Sequence, residues 1–124
     1  MTHKPKNAMV WFEIPVTDME RAKRFYEKVL DVELVVDDSG PNPMALFPVQ
    51  DQKSGLAGHI YPGTPAPSGG ATVHLMAPAP LSAAVERVGP AGGQVVSEPI
   101  SIPAGRFVYC KDPDGNSIGL FEYA

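Results

Sequence analysis

At 124 residues, with 44% hydrophobic and 19% charged residues, the chain has the size and composition of one folded domain around one core. A net charge of −4 and a pI near 5.2 argue against the basic stripe that nucleic acid requires and give no attraction to anionic lipid. No apolar run approaches the roughly 20 residues of a membrane span, no apolar stretch follows the basic N-terminal residues as in a signal peptide, and the lone Cys110 cannot form an internal disulfide. A cytoplasmic protein with neither a membrane nor a nucleic-acid partner is expected.

Residues 1–7 read as a loose tail. Met9–Val16 reads as a strand whose end Pro15 marks as an edge or a bulge. Thr17 and Glu20 have the spacing of a capping box and open a helix. Its apolar face is Met19, Ala22, Phe25, Tyr26, Val29 and Leu30. Arg21, Lys23, Arg24, Glu27 and Lys28 make the solvated face. Val32–Val36, Met44–Val49 and Leu56–Tyr61 read as strands, separated by turn-rich residues 37–43 and 50–55. Residues 62–70 have no apolar periodicity and read as a linker.

The order then repeats. Ala71–Met76 reads as a strand, and Leu81, Ala84, Val85 and Val88 mark a second amphipathic helix ended by Gly89-Pro90. Gln94–Ser97, Arg106–Cys110 and Ser117–Tyr123 are strands, the last two joined by the tight turn Lys111–Asn116. Residues 8–62 and 70–124 therefore each read β-α-β-β-β. A module of this length is too small to bury a good core alone. The two are expected to form a single α+β domain over 1–124, with helices on one side of a curved mixed sheet and a cavity on the other.

Phe12–Leu30, the half-repeat Ala83–Val96 and the closing stretch Phe107–Glu122 carry a resemblance. They resemble the vicinal oxygen chelate superfamily, which contains glyoxalase I, bleomycin- and fosfomycin-resistance proteins and extradiol dioxygenases. Within it, the chain is similar to the small two-module lactoylglutathione lyase-related proteins. The resemblance implies a homodimer and a divalent metal (Zn, Ni, Mn or Fe) held by His, Glu or Gln, one from each of four strands. The first ligand position, counted back from Asp18, is Trp11, and indole cannot ligate a metal. The fourth, counted on from Gly115, is Gly119, which has no side chain. The third falls on Val73, next to His74, and a one-residue slip would reverse the face. The second falls in Leu56–Tyr61, where His59 has the right chemistry. The expectation is that the metal is absent and that no cofactor is bound.

Five residues remain as candidates for a site. Glu13 shares strand parity with Trp11 and should point into the cavity, as a catalytic base or as an anchor for an amine or hydroxyl; its simpler fate is a rim carboxylate paired with Arg106 or a lysine. Trp11 is a flat apolar wall for a ring-bearing ligand, or core, or both. His59 and His74 could form a polar cluster, although the simpler reading of His74 is a hydrogen-bonded histidine on the helix-facing side or at an interface. Arg106 could reach a carboxylate or phosphate, or form a surface ion pair. Cys110 reads as an inert thiol. Asp112-Pro113-Asp114-Gly115-Asn116 is explained by turn chemistry and lacks the ligand spacing of a calcium loop. Two functions compete. One is metal-free binding of a small, partly apolar molecule. The alternative is a lyase or isomerase of the glyoxalase type acting on a vicinal-oxygen substrate, with a displaced metal site or with Glu13 as base. A structural role through dimerisation is a third, weaker option.

Overall fold

Two amphipathic helices each cover a sheet of their own, and the two halves share one core. The computed structural model describes residues 2–5, 7, 9, 11–40, 42–51 and 55–124. The start of the first module at residue 8, Val10 of its first strand, Pro41 and residues 52–54 of its turns, and Met1 and Lys6 of the tail lie outside the described residues. The elements are β1 (Trp11–Val16), α1 (Met19–Leu30), β2 (Val35–Asp37), β3 (Met44–Leu46), β4 (Ala57–Pro62), β5 (Val73–Met76), α2 (Leu81–Val88), β6 (Gln94–Val95), β7 (Ile100–Ile102), β8 (Gly105–Lys111) and β9 (Ser117–Tyr123). No helix among the described residues is long and apolar enough to cross a membrane.

The first module is the sheet β1-β4-β3-β2, with β1 parallel to β4. The second is β5-β9-β8-β6, with β5 parallel to β9 and β7 added on β8. The architecture is α+β, as expected, with β7 as an element the sequence pattern did not reveal. Pro99 and Pro103 flank it and all three of its residues are exposed, so it carries no burial pattern to read. Pro15 stands in β1, which is an edge strand, where its missing N–H leaves no ladder bond unmade.

The helix α1 begins one residue later than the capping-box spacing suggests. Asp18 is the N-cap, its carboxylate accepting from the Arg21 N–H at 3.1 Å. Glu20 is left exposed, 4.0 Å from Arg24. Thr17 has a different task, described below. The far end stops at Asp31, whose left-handed backbone turns the chain so that the Val32 N–H also reaches the Glu27 carbonyl, at 3.2 Å. Helix α2 has Pro80 at its N-cap with no side-chain cap of its own. Its first N–H, on Leu81, is met by the Glu122 carboxylate of β9 at 3.3 Å.

Ala22, Phe25 and Val29 of α1 pack on Ile14, Val16 and Ile60, and Leu81, Ala84 and Val88 of α2 belong to the same continuous core as Leu75, Val108, Ile118 and Leu120. The modules meet helix to helix, where the Arg87 guanidinium donates to the carbonyls of Lys28 and Val29 at 2.9 Å and so closes the C-terminus of α1.

The turn Asp112–Asn116, between β8 and β9, clamps the second module to the first. Asp112 is 3% exposed and its carboxylate takes four donors: the Tyr26 hydroxyl at 2.7 Å, and the Asp114 N–H, the Asn116 N–H and the Asn116 side-chain amide at 2.9 Å. Asn116 also donates to the Pro15 carbonyl at 2.7 Å. Asp114 accepts from the Thr17 hydroxyl and backbone N–H, and its Oδ1 lies 2.8 Å from Arg21. Both carboxylates are thus committed to internal donors. Burial, and then the Asp112 charge, push the Tyr26 phenol well above its ordinary pKa.

Candidate functional site

The parallel register of β1 and β4 sets Trp11 opposite Ala57, Glu13 opposite His59 and Pro15 opposite Tyr61. Alternation along each strand then puts Trp11, Glu13, His59 and Tyr61 on the sheet face away from α1. His59 stands between the other side chains and is 7% exposed. The indole Nε1–H of Trp11 donates to His59 Nδ1 at 2.9 Å. His59 Nε2 faces Glu13 Oε1 at 3.2 Å. An indole nitrogen can only donate, so Nδ1 must present its lone pair. The neutral ring then carries its proton on Nε2, directed at the Glu13 carboxylate. The three residues form a row: Trp11 donates to His59, and His59 donates to Glu13. Tyr61 adds an edge-on ring contact to His59 at 5.9 Å.

Cavities flank this row. On the Trp11 side, about 410 Å³ is lined by Trp11, Val35, Leu46, Phe47, Val49 and Ala57. It adjoins a second space of about 410 Å³ between the modules, with which it shares Phe47, Val49 and Ala57, and which His74, Met76 and Tyr123 bound from the other side. On the Glu13 side, a smaller pocket of about 280 Å³ is lined by Glu13, Asn42, Pro43, Met44, His59 and Tyr61. The row therefore separates a space walled by apolar side chains from one that also holds the Glu13 carboxylate, the His59 imidazole and Asn42.

The other candidates lie elsewhere. Register places Val73 opposite Ile118 on the core side and His74 opposite Gly119 on the open side. Of the two residues near the third ligand position it is therefore His74, not Val73, that shares a face with Gly119. His74 is exposed and not on the helix-facing side. Its imidazole lies over Gly119, where any Cβ would collide with the ring, and meets Phe107 and Tyr109 edge-on at 5.2 and 5.7 Å. Among the described residues it makes no hydrogen bond or ring contact to the Trp11–His59–Glu13 row. Arg106 pairs with its cross-strand neighbour Glu122 at 3.3 Å, close to the N-terminus of α2, and does not reach Glu13. Cys110 is fully buried, and desolvation pushes its thiol up to about 11.

The metal implied by the resemblance does not fit these residues. Trp11 and Gly119 offer no ligand, and Val73 is apolar and turned to the core. His59 has no lone pair left: Nδ1 accepts from Trp11, and Nε2 bears the proton shared with Glu13. Among the described residues no group of three or more His, Cys, Asp or Glu is placed to hold a metal ion. Sequence reasoning identified Trp11, Glu13 and His59 one at a time but missed that they interlock. The signal is a register, Glu13 opposite His59, which a single strand does not carry.

Residues 8–120 match the family model of the Glyoxalase/Bleomycin resistance protein/Dioxygenase superfamily. A search of curated protein sequences found no match. Among solved structures, the fold is similar to a glyoxalase/bleomycin resistance protein from Albidiferax ferrireducens, with a TM-score of 0.72 and 23% identity over 95% of this chain and 100% of that one. It is similar to TnmS3, an antibiotic binding protein from a Streptomyces species, with a TM-score of 0.67 and 26% identity over 98% and 100% of the two chains. It is also similar to the fosfomycin resistance protein FosX from Listeria monocytogenes, with a TM-score of 0.68 and 15% identity over 98% and 94%. At 23% and 15% identity, the first and third are likenesses of fold.

Proposed function

The chain belongs to the Glyoxalase/Bleomycin resistance protein/Dioxygenase superfamily, and on that premise we propose that it binds a small, partly apolar molecule on the open face of its first sheet without a metal ion. The observation that carries this reading is the state of His59. Both of its nitrogens hold neighbours in place, an aromatic wall on one side and a carboxylate on the other. A histidine used in this way orients contacts to an organic molecule and has no lone pair to give a cation. The adjoining apolar cavity of about 410 Å³ lies within the range of about 300–1,000 Å³ usual for small-molecule sites. The likeness to an antibiotic binding protein at 26% identity supports the same use of the fold.

A second reading draws on the same row. Glu13, oriented by His59 Nε2–H, is placed as a metal-free base for a lyase or isomerase. We further propose that two copies associate. Support comes from apolar side chains exposed on the open faces of both sheets, among them Trp11, Val35, Met76 and Tyr123, and size-exclusion chromatography with light scattering tests it, a monomer at all concentrations refuting it. Buried, unpaired Cys110 is consistent with a cytoplasmic setting.

The binding reading is tested by measuring metal content of the purified protein alongside titration with aromatic small molecules. Trp11 is the chain's single tryptophan, so its emission reports this face alone. Saturable emission changes in metal-poor protein are expected. Stoichiometric metal whose removal abolishes those changes would overturn the reading.

A further inference from the structure

The pocket on the Glu13 side differs in chemistry from the apolar cavity beside Trp11. Its carboxylate is 63% exposed at the side chain, with one oxygen held by His59 Nε2. Among the described residues its other oxygen has no partner. Asp114, Glu27 and Glu122 each have a basic neighbour, respectively Arg21, Lys23 and Arg106. Among the described residues Glu13 has no such lysine or arginine: its pocket is lined by Gly40, Asn42, Pro43, Met44, His59 and Tyr61. The Trp11 N–H meets His59 Nδ1 at 2.9 Å and His59 Nε2 faces Glu13 at 3.2 Å, so the imidazole is held between its two neighbours and leaves the second Glu13 oxygen untouched. Among the described residues no lysine or arginine therefore balances this carboxylate, which is held at one oxygen and without a partner at the other. Around it stand the Tyr61 ring and the Met44 thioether, soft surfaces suited to the carbon atoms next to a charged nitrogen.

We propose that this pocket is the subsite for the protonated nitrogen of an organic amine, whose apolar part lies across Trp11 toward the neighbouring cavity. This deepens the binding reading above and rests on it. The ammonium donates to the free Glu13 oxygen, and its adjacent carbons meet Tyr61. An anionic group at the same place would face an uncompensated carboxylate and be rejected.

The test compares three probes of one shape: 4-phenylbutylamine, 4-phenylbutanol and 4-phenylbutyrate. Each is titrated into the wild-type protein and into Glu13→Gln, with Trp11 emission and calorimetry as readouts. Gln at 13 still accepts from His59 Nε2–H and sits at an exposed position, so the fold and the row are retained. The amine should bind about fivefold to tenfold more tightly than the alcohol, the range of a partly exposed ion pair with a ring contact. Glu13→Gln should remove that preference, weakening the amine about fivefold to tenfold more than the alcohol. The butyrate should bind most weakly to wild type and gain in the variant. Equal binding of amine and alcohol to wild type, or a variant that weakens both alike, would overturn the amine subsite and leave small-molecule binding standing. Absence of binding by all three probes would overturn both.

Discussion

Replacing Tyr26 by Phe removes one hydroxyl from the clamp between the modules and leaves the rest of the ring in place. The edge-on contacts of that ring with Phe25 at 5.0 Å and Phe47 at 5.3 Å do not involve the hydroxyl and persist. What is lost is the 2.7 Å bond to the buried Asp112 carboxylate, one of four it accepts. Hydrogen bonds to charged groups contribute roughly 1.5–3 kcal/mol. Three donors remain, so the lower end applies, a loss of about 1.5 kcal/mol at neutral pH, or a fall in Tm of about 6 °C for a domain of this size. The pH dependence gives a second, independent signature. In the folded protein the Tyr26 phenol is held above its ordinary value of 10.0, first by burial and then by Asp112. Above about pH 10 the unfolded tyrosine releases its proton while the folded one keeps it. The unfolded state then binds fewer protons, and wild-type stability falls with pH by about 1.4 kcal/mol per unit from this group. Phe at 26 has no such loss. The variant, less stable at neutral pH, should therefore draw level with wild type about one unit above pH 10. Urea unfolding followed by circular dichroism, from about pH 7 to about pH 11.5, measures this. Parallel curves across that range, or equal stability at neutral pH, would refute the view that Tyr26 is a buried neutral donor to Asp112.

Cys110 should resist a disulfide reagent in the native protein at mildly alkaline pH and react on unfolding, since burial pushes its thiol up to about 11; labelling at the rate of free cysteine would contradict its burial. Because its folded value is raised, the thiol's contribution to stability is complete below the ordinary 9.0 and declines as pH rises from there toward about 11, in wild type and in the Tyr26→Phe variant alike. His59→Ala should free the Trp11 indole, shifting its emission to the red and increasing quenching by acrylamide, with a stability loss of about 1 kcal/mol for the lost hydrogen bonds. Unchanged emission and quenching would mean that Trp11 is not held by His59.

The sequence carried the periodicities, and with them most of the fold. The apolar stripe Met19 to Leu30 became α1, Leu81 to Val88 became α2, and the strand Ser117–Tyr123 lies where its alternation placed it. Each is a local pattern, since burying one face of a helix or strand fixes residue spacing within the segment itself. Readings that depended on a partner fared less well. Thr17 has the spacing of an N-cap, yet its hydroxyl goes to Asp114, 97 positions away, and Asp18 takes the cap. Lys111–Asn116 is legible as a turn, but the chain between Thr17 and Asp114 hides that its carboxylates hold the modules together.

The candidate site divides in the same way. Residue types alone determined that Trp11 and Gly119 cannot ligate a metal, because an indole has no free lone pair on nitrogen and glycine has no side chain. The parity of β1 put Trp11 and Glu13 on one face. Only the tertiary structure decided what surrounds them. Parallel pairing of β1 with β4 sets Glu13 beside His59, and hydrogen-bond direction then runs from indole to imidazole to carboxylate. The pairing of β5 with β9 turns His74 onto the open face and lays its ring over Gly119. Spacing within a strand specifies which side chains share a face. Register between strands specifies which of them touch, and it is set by how the whole core packs.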